Sequence, residues 1–257
     1  MKTRLFAGGI GVLAAATFAL AGCGDNPQPS GTDSTPPPTS SAPQASAKEA
    51  FTNAVKKLQQ QSSKAELKMD GMVAMTATTQ TDPAGKKATS ATEVNVSGVK
   101  VTTSILANNG EVWVKMTGVP GAPDKWMHVA ADKVAKGSSL DLTKDQSTRL
   151  EASIVTVERD GASGFKGTLD LTKMGTVSED LVKQLGDKAK ALPFTATVDS
   201  QGRLSTMEID LNGAMAGLGK MTTKYSAYGE PVNVTPPAAS EVVEMPEQFL
   251  AALNKPV

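Results

Sequence analysis

Apolar positions along this chain change their period several times, and each change predicts a different kind of element. Residues 5–20 carry no charge, residues 24–45 carry no large apolar side chain, and from residue 46 onward apolar positions recur first at helical and then at strand spacing. Ser46-Ala47-Lys48-Glu49 has the form of a capping box, and Phe51, Ala54, Val55 and Leu58 follow on one face, predicting a helix that ends near Gln61. The period then falls to two. Ala65, Leu67, Met69, Val73 and Met75 alternate with Glu66, Lys68 and Asp70, the pattern of a strand with one wet and one dry face.

Further strands are predicted at about 89–97, 99–107 and 111–117, the last two joined by Asn109-Gly110, a dipeptide that accepts positive φ at both turn positions. Short strands follow at Trp126–Val129, Ala152–Arg159 and Gly164–Leu171. Leu181, Leu185, Ala189 and Leu192 predict a second amphipathic helix over 178–192, closed by Pro193. Strands 194–199 and 203–211 turn through Ser200-Gln201-Gly202, and a last hairpin is expected over 221–227 and 232–234. The sum is an α+β chain of about ten antiparallel strands with two or three helices. No strand alternates with a helix in the way a doubly wound nucleotide-binding fold requires.

The first segments change the picture from a cytoplasmic domain to an exported one. Lys2 and Arg4 precede the uncharged run, and Leu20-Ala21-Gly22-Cys23 ends it, so residues 1–22 read as a signal peptide. That tetrapeptide resembles the lipobox of bacterial lipoproteins, and the resemblance implies acylation of Cys23. Cys23 is also the only cysteine, so no intrachain disulfide can form. Two or three acyl chains, at roughly 0.8 kcal/mol per buried methylene, would anchor the protein stably. Residues 23–45 then form a Pro/Ser/Thr tether with six prolines, too polar to offset the entropy of ordering it. Its composition suits O-glycosylation as well as a bare spacer. Residues 46–257 form one domain.

Several functions are disfavoured by composition. Without Lys2 and Arg4 the chain holds 24 Lys+Arg against 26 Asp+Glu, a net charge of −2, with no basic excess for nucleic acid. His128 is the only histidine and no Gly-x-Ser-x-Gly elbow is present, so a serine triad lacks its parts. One histidine and one cysteine cannot hold zinc, and the carboxylates Asp141, Asp145, Glu151, Glu158 and Asp160 do not have calcium-loop spacing. No metal, cofactor or catalytic residue is expected, and an envelope hydrolase is the weakest of the readings.

Two segments near the C-terminus carry a family resemblance. Phe194-Thr-Ala-Thr-Val-Asp199-Ser-Gln-Gly202-Arg203-Leu204 with Met207-Glu-Ile-Asp-Leu211, and Tyr225-Ser-Ala-Tyr-Gly229-Glu-Pro231-Val-Asn-Val234-Thr-Pro236-Pro237, resemble the D-x-x-G-R-L hairpin and the Tyr/Gly/Pro ending of actinobacterial lipoproteins of the LppX/LprG type. That resemblance implies a LolA-like half-barrel: a large curved antiparallel sheet with two or three helices covering its concave face, around a hydrophobic cavity that binds lipids or acylated molecules.

Composition agrees with an adaptable interior. Aromatic residues make up 4%, whereas ten of the 11 methionines follow residue 23, and methionine repacks around varied apolar partners. The dry-face candidates for the cavity are Leu67, Met69, Val73, Val94, Val96, Val101, Val114, Met116 and Ile209. Lys115–Asp124, with Gly118-Val-Pro-Gly-Ala-Pro, is a candidate lid. The expected function is therefore a non-catalytic carrier or receptor for a lipid or glycolipid. It would be held to the outer face of the cell membrane through acylated Cys23 and exchange its cargo with a membrane transporter or another envelope protein. The alternative is a protein-binding or sensory envelope module with a fully packed core and no ligand.

Overall fold

The computed structural model describes residues 46–72, 74–96, 98–135, 138, 140–142, 146–174 and 185–254. The signal segment, Cys23, the tether, Val73, the side chain of Val96 and residues 178–184 of the expected second helix lie outside them. All described residues fall within the compact unit Pro43–Val257.

Helix α1 spans Ala47–Gln60. Its capping box is closed from both sides: the Glu49 amide donates to Ser46 Oγ at 3.2 Å and the Ser46 amide to Glu49 Oε2 at 2.9 Å. Phe51, Ala54 and Val55 are buried, as the helical spacing predicts. Twelve strands follow among the described residues: β1 Ser63–Asp70, β2 Ala74–Asp82, β3 Lys87–Val96, β4 Val99–Asn108, β5 Glu111–Thr117, β6 Trp126–Val129, β7 Ile154–Asp160, β8 Gly164–Leu169, β9 Leu192–Val198, β10 Leu204–Asp210, β11 Lys220–Ser226 and β12 Val242–Glu244. They form one sheet in the order β12-β6-β5-β4-β3-β2-β1-β11-β10-β9-β8-β7, antiparallel except for the β12–β6 pair. Helices α2, Gln146–Ser153, and α3, Glu247–Leu253, complete the α+β half-barrel architecture.

The helices sit at the two ends of this strand order. Phe51 of α1 packs on Phe165 of β8 and Phe194 of β9, with ring centroids 5.4 and 5.1 Å apart. Around them a first core gathers residues of β7 to β10, α2 and the turn before β9. A second core holds Val112, Val114, Met127 and Val129 with Leu140 and Met245, backed by Phe249, Leu250 and Leu253 of α3. Strand alternation places both cores on the same face of the sheet.

Several sequence expectations are corrected. The run 65–75 is two strands, since Gly71 and Met72 fold the chain into a hairpin that sets Met69 opposite Met75. Gly71 lies so close to the β10–β11 loop that a Cβ there would stand 2.3 Å from the Leu218 oxygen, and the Met72 amide donates to the Gly217 oxygen at 2.9 Å. The alternation survives that turn in phase, so periodicity alone could not reveal it. Ala152 belongs to α2, and β7 begins at Ile154. Residues 186–190 form a 3-10 turn rather than the end of an α-helix, with Gly186 at φ 56°. Leu192 and Pro193 open β9; Pro193 sits beyond Phe194–Ile209, the last β9–β10 partners, where no amide is needed on that side. The segment 232–234 is not a strand, because β11 pairs with β1 and β10 instead. Asn109 and Gly110 do adopt positive φ, 52° and 91°.

Candidate ligand-binding face

Cross-strand register turns scattered dry-face residues into continuous rows. The first row runs Phe194, Ile209, Met221, Met69, Met75, Val94, Val101 across seven strands from β9 to β4. The second runs Ala196, Met207, Thr223, Leu67, Ala77, Thr92, Thr103, Met116 from β9 to β5. Tyr225, Ala65, Thr79, Ser90, Ile105, Val114 and Met127 make the third. All seven residues of the first row are apolar, and three neighbours in it are methionines. The inner rows carry hydroxyls at mid-sheet, two of which, Thr79 and Ser90, are bonded to each other at 3.2 Å.

Packing is uneven along these rows. Phe194, Ile209 and Met207 are buried in the first core and Val114 in the second, with Met69, Met221 and Tyr225 packed against the former and Ile105 and Met116 against the latter. Leu67, Met75, Ala77, Val94 and Val101 belong to neither core and are all partly exposed. They lie on β1 to β4, a span of roughly 14 Å at about 4.8 Å between neighbouring strands. The dry face is therefore packed at both ends of the strand order, and the second core also reaches Ala88 of β3 and Ala107 of β4, 0% and 2% exposed; the open stretch is the part of β1 to β4 that carries the first two rows.

Of the expected cavity residues, Leu67, Val94 and Val101 lie in this open stretch, with Met69 and Met116 at its borders, packed against the first and second cores. Ile209 and Val114 instead lie inside the flanking cores, 2% and 0% exposed. Met75 and Ala77 belong with the first group and Met221 with the border beside Met69, and all three were absent from the expected set. Met75 carried the same alternation as Met69, whereas Met221 is brought in only by the β1–β11 pairing, which local sequence does not encode.

The recognised C-terminal motifs build structure next to this face. Asp199 Oδ1 accepts from the amides of Gln201 and Arg203, both at 2.9 Å, and Oδ2 accepts from Arg203 Nε at 2.7 Å. Burial pushes the Asp199 carboxyl up, but the hydrogen bonds from Arg203 and Gln201 outweigh it and hold the group below its ordinary range. Arg203 also lies over the Tyr228 ring at 4.6 Å, and the Tyr228 hydroxyl donates to the Leu204 oxygen at 2.7 Å. Lys57 donates to the Gln201 oxygen at 2.5 Å. The D-x-x-G-R-L and Tyr-Gly segments thus tie the β9–β10 turn to α1 and to the end of β11.

Two other candidate features have structural places. His128 Nε2 and Glu111 Oε2 lie 2.5 Å apart, and the imidazole packs on Trp113 at 5.5 Å. His128 borders a cleft of about 280 Å³ with Val129, Lys133, Glu244, Met245, Glu247 and Leu250. Its Lys133 and Glu244 are paired at 2.9 Å, and among the described residues no group of three or more His, Cys, Asp and Glu could hold a metal. The proposed lid is the end of β5 with the β5–β6 connection. It is pinned at Gly118, where a Cβ would stand 2.2 Å from the Lys100 oxygen, and bridged by Lys115 and Asp124 at 3.6 Å. No family model matches the chain, and no curated protein matches it in sequence.

Proposed function

We propose that this protein is an exported lipoprotein, held to the outer face of a cell membrane through acylated Cys23, that carries the acyl part of a lipid or glycolipid on the open middle of its sheet. The single observation supporting this most is the row Met221, Met69, Met75, Val94, Val101: five adjacent apolar side chains, of which Met221 and Met69 border the first core while Met75, Val94 and Val101 belong to neither core. Such a row loses water when an apolar chain lies along it. At about 0.8 kcal/mol per methylene, a chain of some ten buried methylenes gains about 8 kcal/mol before the costs of immobilisation. Methionine suits cargo of varied shape because its unbranched side chain repacks cheaply. No covalent step is required; the protein binds, shields and releases.

The test is native mass spectrometry of residues 24–257, which lack only the signal and the anchor, purified from a lipid-containing host. The expected spectrum carries an added mass that is released on denaturation and identified as a lipid. Ligand-free protein in every preparation, retained by an envelope protein partner instead, would favour the packed sensory module and end the carrier reading.

A further inference from the structure

The strongest unexplained surface feature is a set of exposed apolar residues at one end of the sheet. The turns β1–β2, β3–β4, β5–β6 and β10–β11 all fall at that end, because Asp70, Val96 and Asp210 finish strands where Ala74, Val99 and Lys220 begin their partners. Met72 in the first turn is 66% exposed and Val99 beside the second is 58% exposed, two of the three large apolar side chains that stand out most among the described residues. Pro120 in the third turn is exposed as well. Gly98 and Gly121, at the tips of two of these turns, have nothing within 4 Å of a built Cβ, so the tips project clear of the body. Neighbouring turns are two strands apart, roughly 10 Å. The methionine row is the dry-face row nearest this rim, so the open face runs out toward it.

The chain also enters the domain on this side. Lys57, in the last turn of α1, reaches Gln201 in the β9–β10 turn at the opposite end of the sheet. Phe51, earlier in the helix, stacks on Phe194, whose partner Ile209 is one residue from the rim end of β10. Helix α1 therefore runs away from the rim. Ser46 lies five residues before Phe51, roughly 7 Å farther toward the rim at 1.5 Å per residue. The 22 residues between Cys23 and Ser46 would span roughly 25 Å as a flexible chain. Charges near the rim are matched, Lys68 with Asp70 at 3.0 Å, Lys100 with Glu93 at 2.7 Å and Lys115 with Asp124 at 3.6 Å.

We infer that this rim is a membrane-docking surface: Met72, Val99 and the Pro120 turn enter the interface of the bilayer that holds Cys23, and the open methionine row faces that bilayer for loading. The inference rests on the lipid-anchored carrier reading. Matched rim charges make the docking apolar, so an uncharged bilayer is enough.

The test uses residues 24–257, which contain no cysteine, with single substitutions Met72→Cys, Val99→Cys and Gln201→Cys carrying an environment-sensitive fluorophore, mixed with phosphatidylcholine vesicles. Fluorescence is expected to rise several-fold at 72 and 99, to stay flat at 201, and to persist in 1 M salt. No rise at 72 and 99, an equal rise at 201, or loss of the response in salt overturns apolar docking by this rim. A fluorescent fatty acid titrated into the unlabelled protein reads the carrier function separately. Fatty-acid binding without a vesicle response overturns the docking surface alone, and a vesicle response without fatty-acid binding overturns the carrier alone.

Discussion

Phe51→Ala and Met75→Ala remove apolar side chains that meet the same face of the same sheet, and the two should differ sharply in cost. Phe51 is fully buried, 0% exposed, with two aromatic neighbours at 5.1 and 5.4 Å. Truncating such a residue costs about 3–5 kcal/mol, the ring pairs included. Met75 is partly exposed and belongs to neither core. Its removal leaves no closed cavity, so mainly the transfer term is lost, about 1–2 kcal/mol. Against a typical total of 5–15 kcal/mol, Phe51→Ala should bring the protein near marginal stability and Met75→Ala should not. Urea unfolding of residues 24–257 measures both, with unchanged slopes showing that the unfolded states are comparable. Equal losses from the two substitutions would mean that the face around Met75 is covered as tightly as β8–β10, and the reasoning behind an open mid-sheet would fail.

Three further substitutions probe the frame that holds this face. Gly219 has φ 76° and a Cβ there would stand 1.4 Å from the Asp70 oxygen, so Gly219→Ala should prevent or gravely weaken folding; Gly161→Ala, at φ 74° in open space, should cost about 1 kcal/mol, both read as melting temperatures. Asp199→Asn should cost about 2 kcal/mol near neutral pH by weakening the charged hydrogen bonds to Arg203 and Gln201. Because the folded carboxyl is held below its unfolded value, this contribution is complete above about pH 4 and is lost as pH falls through the folded pKa. Stability measured against pH should therefore show a shallower acid limb in the variant.

Strong local signals in the sequence correspond to the elements that the structure forms. The capping box at Ser46, the Asn109-Gly110 turn and the Val/Ile alternation of β3 to β5 each have a short-range cause. What escaped was short or polar. Strand β2 reads Ala-Met-Thr-Ala-Thr-Thr-Gln-Thr-Asp, with Met75 as its only large apolar residue, and is a strand because β1 and β3 pair with it on both sides. Helix α2 holds a single large apolar residue, Leu150, and β12 is three residues long and made by pairing with β6. The same limit applied to the candidate face. Alternation separated wet from dry within each strand, so Leu67, Met69, Val94 and Val101 could be named. It could not place Ile209 and Val114 in the flanking cores or bring Met221 beside Met69, since each core gathers residues more than 100 positions apart, and so does the β1–β11 pairing.

The most direct test of an open mid-sheet fills it. Ala77 lies on the second dry-face row between Leu67 and Thr92 and is partly exposed. Binding of a fluorescent fatty acid to the Ala77→Trp variant, measured beside its urea midpoint, should be weakened at least tenfold while stability changes by less than about 1 kcal/mol, because the indole occupies space meant for cargo. Unchanged binding, together with a loss of about 1–3 kcal/mol of the kind produced by overpacking a closed core, would contradict the account.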